Sequence, residues 1–172
     1  MSEPHVPTWS WETGRDPDEI HALLCACDAA RAAQTGSPVP QRSPATTRLR
    51  VQEGSVHVLR RDGRLAATFT ITRRAPFTCN DALPAAHRPA YLGRLAVDPL
   101  WLGEGSIVGA QCIRRAVEVA QEAGADAVRA EANPDLTETM KLLKLLGFRQ
   151  YGPDVVDDGG FRRAQLQMKL TG

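Results

Sequence analysis

Residues 91–109, YLGRLAVDPLWLGEGSIVG, decide the fold of this 172-residue chain. The apolar residues at the start of the stretch predict a β-strand that ends near Val97. The Asp98–Pro99 pair that follows is a turn signal. Two glycines come next, and a helical pattern of apolar residues runs over residues 107–123. The stretch therefore predicts a strand, a turn and a long helix in direct succession.

The two glycines, Gly103 and Gly105, indicate a candidate site. At a helix N-terminus the first N–H groups lack intrahelical partners, and the helix dipole favours negative charge. Glycines let an anion such as a phosphate approach the backbone closely. The pattern is equally compatible with an ordinary strand-to-helix turn, because short Gly-x-Gly patterns are weak signals.

The composition is that of a soluble globular protein with one domain spanning residues 1–172, since 42% of the residues are hydrophobic and 24% are charged. The formal net charge of +1 gives no electrostatic footprint for nucleic acid. No apolar run approaches the roughly 20 residues that cross a bilayer. Residues 1–15 lack a basic region followed by an apolar one, so we expect no signal peptide and a cytoplasmic location.

The order of predicted elements is β-α-(α)-β-β-β-α-β-α-β-β, where the second helix is weakly indicated. A central βαβ unit flanked by hairpins predicts an α/β fold with a mixed sheet and helices on its faces. The predicted strands cover residues 8–12, 55–61, 65–72, 91–97, 127–132, 148–151 and 161–170, and the helices 17–35, 46–52, 107–123 and 136–146. A loop of about fifteen residues over 74–89 is long enough to be a lid, a binding surface or a mobile segment.

The four cysteines do not form a metal-binding or redox motif. Cys25 and Cys27 are separated by one residue, which is neither a zinc nor a redox spacing, and Cys79 and Cys112 are isolated. We expect all four to be buried or partly buried free thiols. No metal site is predicted.

Three motifs in order resemble the GNAT (Gcn5-related N-acetyltransferase) superfamily. Residues 95–99, LAVDP, are similar to the end of the family's fourth strand, and residues 102–107, LGEGSI, stand where the family has its pyrophosphate loop. Asn133–Pro134, followed by LLGF at residues 145–148, is similar to the family's fifth strand and fourth helix. The resemblance covers approximately residues 56–168 and, more loosely, the first predicted helix.

The resemblance implies a GNAT-like mixed sheet of six to seven strands, with helices on both faces and a splayed strand pair that binds acyl-CoA. It implies an N-acyltransferase that moves acetyl from acetyl-CoA, as co-substrate, to a small-molecule amine by direct attack. The alternative is a catalytically degenerate acyl-CoA-binding or regulatory module on the same fold. We expect no nucleic-acid or membrane partner, and a homodimer is left open. The residues implied in cofactor binding are Leu95, Ala96, Val97, Leu102, Gly103, Glu104, Gly105, Ser106, Ile107 and Asn133.

The sequence departs from the family pattern in both motifs that carry chemistry. Leu102 replaces a polar residue before the first glycine, and Glu104 places a negative charge between the glycines, so backbone amides must supply most of the phosphate contacts. Leu143 stands where relatives often carry a tyrosine that protonates the leaving thiolate. Asn133 has two interpretations, a contact to the pantetheine arm or a turn-former before Pro134.

The predicted catalytic groups are Glu131, Tyr91 and the backbone N–H of Val97. Glu131 is the only carboxylate in the two central strands and is a candidate general base, although it could instead be a solvent-facing residue paired with Arg129. Tyr91 stands at the family's commoner base position and could act in a water chain or simply pack. The Val97 N–H could polarise the thioester carbonyl. His87 and Phe77, in the long loop, are predicted to bind the acceptor, and a solvated His87 is the alternative.

Overall fold

The computed structural model describes residues 3–171, and the side chains of residues 102–106 lie outside that description. Within the described range the chain forms eight strands, four α-helices and one short 3₁₀ segment. The strands are β1 (Trp9–Thr13), β2 (Val56–Arg61), β3 (Arg64–Thr72), β4 (Pro89–Val97), β5 (Ala127–Ala132), β6 (Arg149–Gln150), β7 (Val155–Val156) and β8 (Arg162–Lys169). The helices are α1 (Pro17–Thr35), α2 (Pro44–Gln52), α3 (Gly105–Glu122) and α4 (Thr137–Leu145), and the 3₁₀ segment is Pro99–Glu104.

The strands form one mixed sheet in the order β1-β2-β3-β4-β5-β8-β6, with β7 paired to β8 beside this path. The β4–β5 pair is parallel and the others are antiparallel. The predicted α/β fold with a mixed sheet is therefore confirmed. The sheet has eight strands where six to seven were expected, because Val155 and Val156 pair with β8 in a segment that was predicted to be loop.

Short-range signals in the sequence set the element ends. The Asp16 side chain accepts hydrogen bonds from the N–H groups of Asp18 and Glu19, which caps α1 where Pro17 begins it. Asp62 and Gly63 have φ values of 50° and 78°. Two consecutive positive φ values make the tight turn that joins β2 and β3, as the Asp-Gly pair predicts.

Two apolar cores lie on opposite faces of the sheet. The larger joins α3 and α4 to the sheet through fully buried side chains such as Ile113, Phe69 and Phe148. The smaller joins α1 to the sheet through Leu24, Val58 and neighbouring residues. Burial of these side chains is the main favourable term that holds the helices to the sheet.

A bulge divides β4 into two halves. Arg94 has a φ of 52°, and the antiparallel register with β3 shifts between Gly93 and Ala96 at this point. The parallel pairing with β5 starts at Pro89 and Ala127 and extends only to Leu92 and Ala130. The second half of β4 therefore diverges from β5, which matches the splayed strand pair that the resemblance implies.

The cysteines are free thiols, as expected, but one of them is exposed. Cys27 and Cys112 are buried, and burial raises the pKa of Cys27 to about 11 and that of Cys112 to about 12. Cys79 is half-buried. Cys25 was expected to be buried or partly buried, and this was wrong because α1 turns that position away from the sheet.

No described helix combines the length and the apolar character that crossing a membrane requires.

His57 gives the fold a pH dependence that can be measured. Its ring stacks on Phe69 with centroids 5.1 Å apart, and burial, together with the nearby Arg115, lowers the pKa of His57. As pH falls through about 6.5, the unfolded chain therefore takes up this proton before the folded chain does. The contribution of the neutral His57 ring to the stability of the fold is therefore present above that pH and is lost below it.

We predict that the free energy of unfolding decreases from about pH 7.5 to about pH 5.5 more in the wild type than in His57→Gln. The difference should be no more than about 1 kcal/mol, because the half-exposed ring keeps part of its solvation. Urea denaturation at both pH values measures it. An equal or larger decrease in the variant would contradict this account of His57.

Candidate active site in the cleft between the central strands

A cleft of about 560 Å³ opens where β4 and β5 diverge. One wall is formed by α1 and the connector from α1 to α2, and the other by α4 and the segment before β8. Its floor is formed by small and apolar residues, among them Leu92, Gly93 and Ala132. A Cβ atom placed on Gly93 would meet no atom within 4 Å, so the cleft is open directly above this residue.

The backbone of β4 presents an unpaired edge to this cleft. The Asp98 N–H donates to the Ala66 carbonyl in β3 at 2.8 Å. Because polar groups alternate sides along a strand, the N–H and C=O groups of Val97 point away from β3, towards the gap. The Leu95 carbonyl accepts from the Arg31 guanidinium at 3.0 Å, and the Val97 carbonyl accepts from the Cys27 thiol at 3.0 Å. Two side chains of α1 thus satisfy carbonyls that β5 does not pair.

Glu131 lines this cleft on the face of β5 that α3 and α4 do not cover. Its side chain is 23% exposed. The carboxylate accepts from the Gln165 amide at 3.1 Å and lies 3.7 Å from the Arg163 guanidinium. The suggested pair with Arg129 is not formed, because that guanidinium donates elsewhere. The Glu131 carboxylate thus has two polar partners and is accessible from the cleft.

Tyr91 and Phe77 lie together beneath the long loop and are not among the residues that line the cleft. Tyr91 is 6% exposed, and its hydroxyl accepts from the Arg129 guanidinium at 3.4 Å. The Phe77 ring meets the Tyr91 ring edge-on, with centroids 5.8 Å apart. Tyr91 is therefore packed, which is the alternative that the sequence left open for it. The catalytic role of Tyr91 and the acceptor contact of Phe77 stay predictions.

His87 is exposed near the start of β5, at the end of the sheet away from the splay. Its backbone N–H donates to the Asp126 carboxylate at 2.7 Å, and that of Arg88 does so at 2.9 Å. The same long loop is held to β8 by the Asn80 N–H, which donates to the Gln165 side chain. These bonds fix the loop in its middle and at its end before β4, and the acceptor contact predicted for His87 stays a prediction.

Asn133 fits both of its interpretations. Its side-chain oxygen accepts from the Asp135 N–H at 2.9 Å, which is the turn expected before α4. The residue also lines the cleft. Pantetheine contact by Asn133 remains a prediction.

The segment predicted to bind phosphate leads into α3. Gly103 lies in the 3₁₀ segment, and Gly105 is the first residue of α3, two residues earlier than the predicted helix start. Ile107 is 63% exposed. The predictions for the side chains of Leu102, Glu104 and Ser106 lie outside the described residues. Ala96 is 1% exposed in the core beneath α1, so only its backbone can take part in binding.

Leu143 lies in α4 and lines the cleft, where it is 3% exposed and packs in the larger core. Its apolar side chain offers no proton at the position where relatives often have a tyrosine. Among the described residues, no group of three or more His, Cys, Asp or Glu side chains could hold a metal ion.

Sequence reasoning missed how the charged side chains on the wall of the cleft are paired. Asp28 is 5% exposed and receives two hydrogen bonds from Arg42, which reaches it from the Pro-rich connector between α1 and α2. Arg94 donates to the hydroxyl of buried Thr47 at 2.6 Å. Burial lowers the pKa of Arg94 to about 10, and the charges of Arg42 and Arg50 add to this effect. The only sequence signal was a cluster of prolines, which does not show which side chains meet.

A mixed sheet with a bulged fourth strand, a splayed parallel pair and helices on both faces defines the acetyltransferase class of fold. The chain belongs to the acetyltransferase (GNAT) family, whose profile matches residues 16–148. No curated protein matches the sequence.

Solved structures share the fold over nearly the whole chain. A GNAT-family acetyltransferase of Streptococcus agalactiae is 19% identical, with a TM-score of 0.74 and coverage of 95% of this chain and 96% of that one. An acetyltransferase of Salmonella typhimurium, solved with acetyl-CoA, is 15% identical, with a TM-score of 0.66 and coverage of 96% and 95%. N-acetylglutamate synthase of Neisseria gonorrhoeae, solved with coenzyme A and N-acetylglutamate, is 17% identical, with a TM-score of 0.66 and coverage of 96% and 36%.

Proposed function

We propose that this protein is an acyl-CoA-dependent N-acyltransferase that transfers acetyl from acetyl-CoA to the amine of a small molecule. The observation that carries the proposal is the end of β4–β5 pairing at Leu92 and Ala130, which leaves an open strand edge inside a cleft. A chain with amide groups can pair with such an edge like an added strand. The pantetheine arm of coenzyme A is a chain of this kind.

The cofactor would lie along the second half of β4. Leu95 and Val97 would pair with its amides, and Asn133 faces the same cleft from the end of β5. Its pyrophosphate would be held at the N-terminus of α3, by backbone amides of residues 102–107 and the positive end of the helix dipole. The relatives solved with acetyl-CoA or coenzyme A have this fold, which supports the assignment.

The chemistry would be direct attack of a neutral amine on the thioester carbonyl. The Val97 N–H would stabilise the negative charge that develops on the carbonyl oxygen. A C–N bond forms, the C–S bond breaks, and the amine proton passes to Glu131, directly or through a water molecule. The leaving thiolate takes a proton from solvent, since Leu143 cannot supply one. Holding both reactants in one cleft supplies much of the rate.

We also propose that residues 1–172 act as one catalytic domain in the cytoplasm, where free thiols stay reduced. Its partners are the small-molecule amine and the acyl-CoA. A non-catalytic acyl-CoA-binding module on the same fold is the second candidate, and Leu143 at the position of the usual proton donor is the observation that favours it.

Gly93→Phe tests whether the cleft is the site of turnover. The new side chain would project into open space, so the thermal midpoint should stay close to that of the wild type. It should lower kcat/KM by roughly 100-fold or more, because the acceptor could no longer reach the thioester. Thiol release from acetyl-CoA over a panel of amines measures this effect. Gly93→Ala is the matched control and should lose little activity; full activity in Gly93→Phe would contradict the site.

Glu131→Gln tests the general base. The amide keeps the shape of the side chain but cannot take a proton, so kcat should fall by roughly 100-fold, with affinity for acetyl-CoA unchanged. Glu138→Gln, at an exposed position on α4, is the control. Binding of acetyl-CoA by the wild type without turnover of any amine would favour the non-catalytic module.

A further inference from the structure

The charges that line the cleft do not balance. Four arginines face it, Arg31, Arg42, Arg94 and Arg163, against two carboxylates, Asp28 and Glu131. Arg42 is paired with Asp28, and Arg163 lies 3.7 Å from Glu131. Among the described residues, no carboxylate lies within ion-pair distance of Arg31 or Arg94. The cleft thus carries two positive charges without a counter-ion from those residues.

Arg94 is the more constrained of the two. It occupies the bulge of β4 at a φ of 52°, and its guanidinium is directed beneath α2 by the hydrogen bond to Thr47. A partly buried cation that is hydrogen-bonded only to a hydroxyl remains incompletely compensated. Burial is the main cause that lowers the pKa of Arg94, the charges of Arg42 and Arg50 add to it, and Asp28 offsets only part of the effect. An anion brought into the cleft would supply the missing charge.

Arg31 reaches the same part of β4 from α1. One of its nitrogens donates to the carbonyl of Leu95, the residue next to Arg94. A guanidinium has five N–H donors, and a carboxylate matches two of them at once. Both arginines therefore belong to the residues that line the cleft where the strands diverge.

The cofactor phosphates are a less suitable anion for these arginines. They would be held by residues 102–107, which follow the end of β4. Arg94 is directed instead towards Thr47 of α2, and Arg31 belongs to α1. Both arginines thus belong to the wall that the acceptor would contact.

We propose that the acceptor is an amine that also carries a carboxylate, which Arg94 and Arg31 bind together. This inference rests on the proposed function and names the class of its substrate. With the carboxylate at these arginines, the amine is directed towards the gap between β4 and β5, where Glu131 also lies. The positive charges favour the neutral form of the amine, which is the form that attacks the thioester.

The test uses the full chain with acetyl-CoA and pairs of acceptors that share one amine. Each pair consists of an amino acid and the same compound with its carboxylate replaced by a primary amide. Across the pairs, the position of the amine varies from α to ω. We expect at least one acid to react with a kcat/KM at least tenfold above that of its amide. Arg94→Gln should raise KM for that acid by roughly 10- to 100-fold and remove the preference, with coenzyme A affinity unchanged.

Arg94→Asn is a second variant that suits the positive φ, should Arg94→Gln fold poorly. The matched control is Arg50→Gln, which removes a nearby positive charge on α2 that pairs with Glu53, the residue after this helix, outside the cleft. The control should keep the preference for the acid.

Equal kcat/KM values for acids and their amides, or an equal loss of kcat/KM for both in the Arg94 variants, would overturn the inference. Neither result would contradict the proposed transferase activity. Failure of the wild type to bind acetyl-CoA would defeat the proposed function itself. If acetyl-CoA binds and no acceptor reacts, calorimetric titration of the acids into the coenzyme A complex tests whether the carboxylate site exists. Binding that Arg94→Gln abolishes supports the carboxylate site, and no binding of any acid refutes it.

Discussion

The hydrogen bonds between β4 and β5 stop at Leu92 and Ala130, and the whole site depends on that interruption. Buried backbone groups need partners, so an unpaired edge in the middle of a sheet must be satisfied by something else. The bulge at Arg94 causes the divergence by adding a residue to β4 opposite β3. The cleft is thus a place where the sheet leaves polar backbone available to a ligand of matching chemistry.

Helix α1 stabilises this arrangement from one side. Arg31 and Cys27 donate to the carbonyls of Leu95 and Val97, so these two carbonyls, which β5 leaves unpaired, are bonded to the helix that covers the smaller core. The opposite face is filled by α3 and α4, whose apolar side chains hold β4 and β5 in place. The two strands can therefore diverge without collapsing on each other, because both pack on the larger core and β4 is also held from the other face by α1.

Periodicity and turn chemistry made most of the fold predictable. Asp16 before Pro17, Asp62–Gly63 and the glycines that end helices act over a few residues, so their effects can be read locally. Val155 and Val156 could not be predicted as a strand, since two residues carry no periodicity and their pairing is non-local. Arg94 was missed for a related reason: a positive φ at an arginine has no sequence signature. The Asp28–Arg42 pair depends on how a Pro-rich connector crosses α1, which no local pattern specifies.

The most direct test of the central claim is a crystal structure of the protein with acetyl-CoA. The account predicts that the pantetheine arm lies between β4 and β5 beyond Leu92 and Ala130. Its amides should pair with the backbone of Leu95 and Val97, and its thioester oxygen should lie within hydrogen-bond distance of the Val97 N–H. A cofactor bound elsewhere on the protein, or β4 and β5 paired through to Val97, would contradict it.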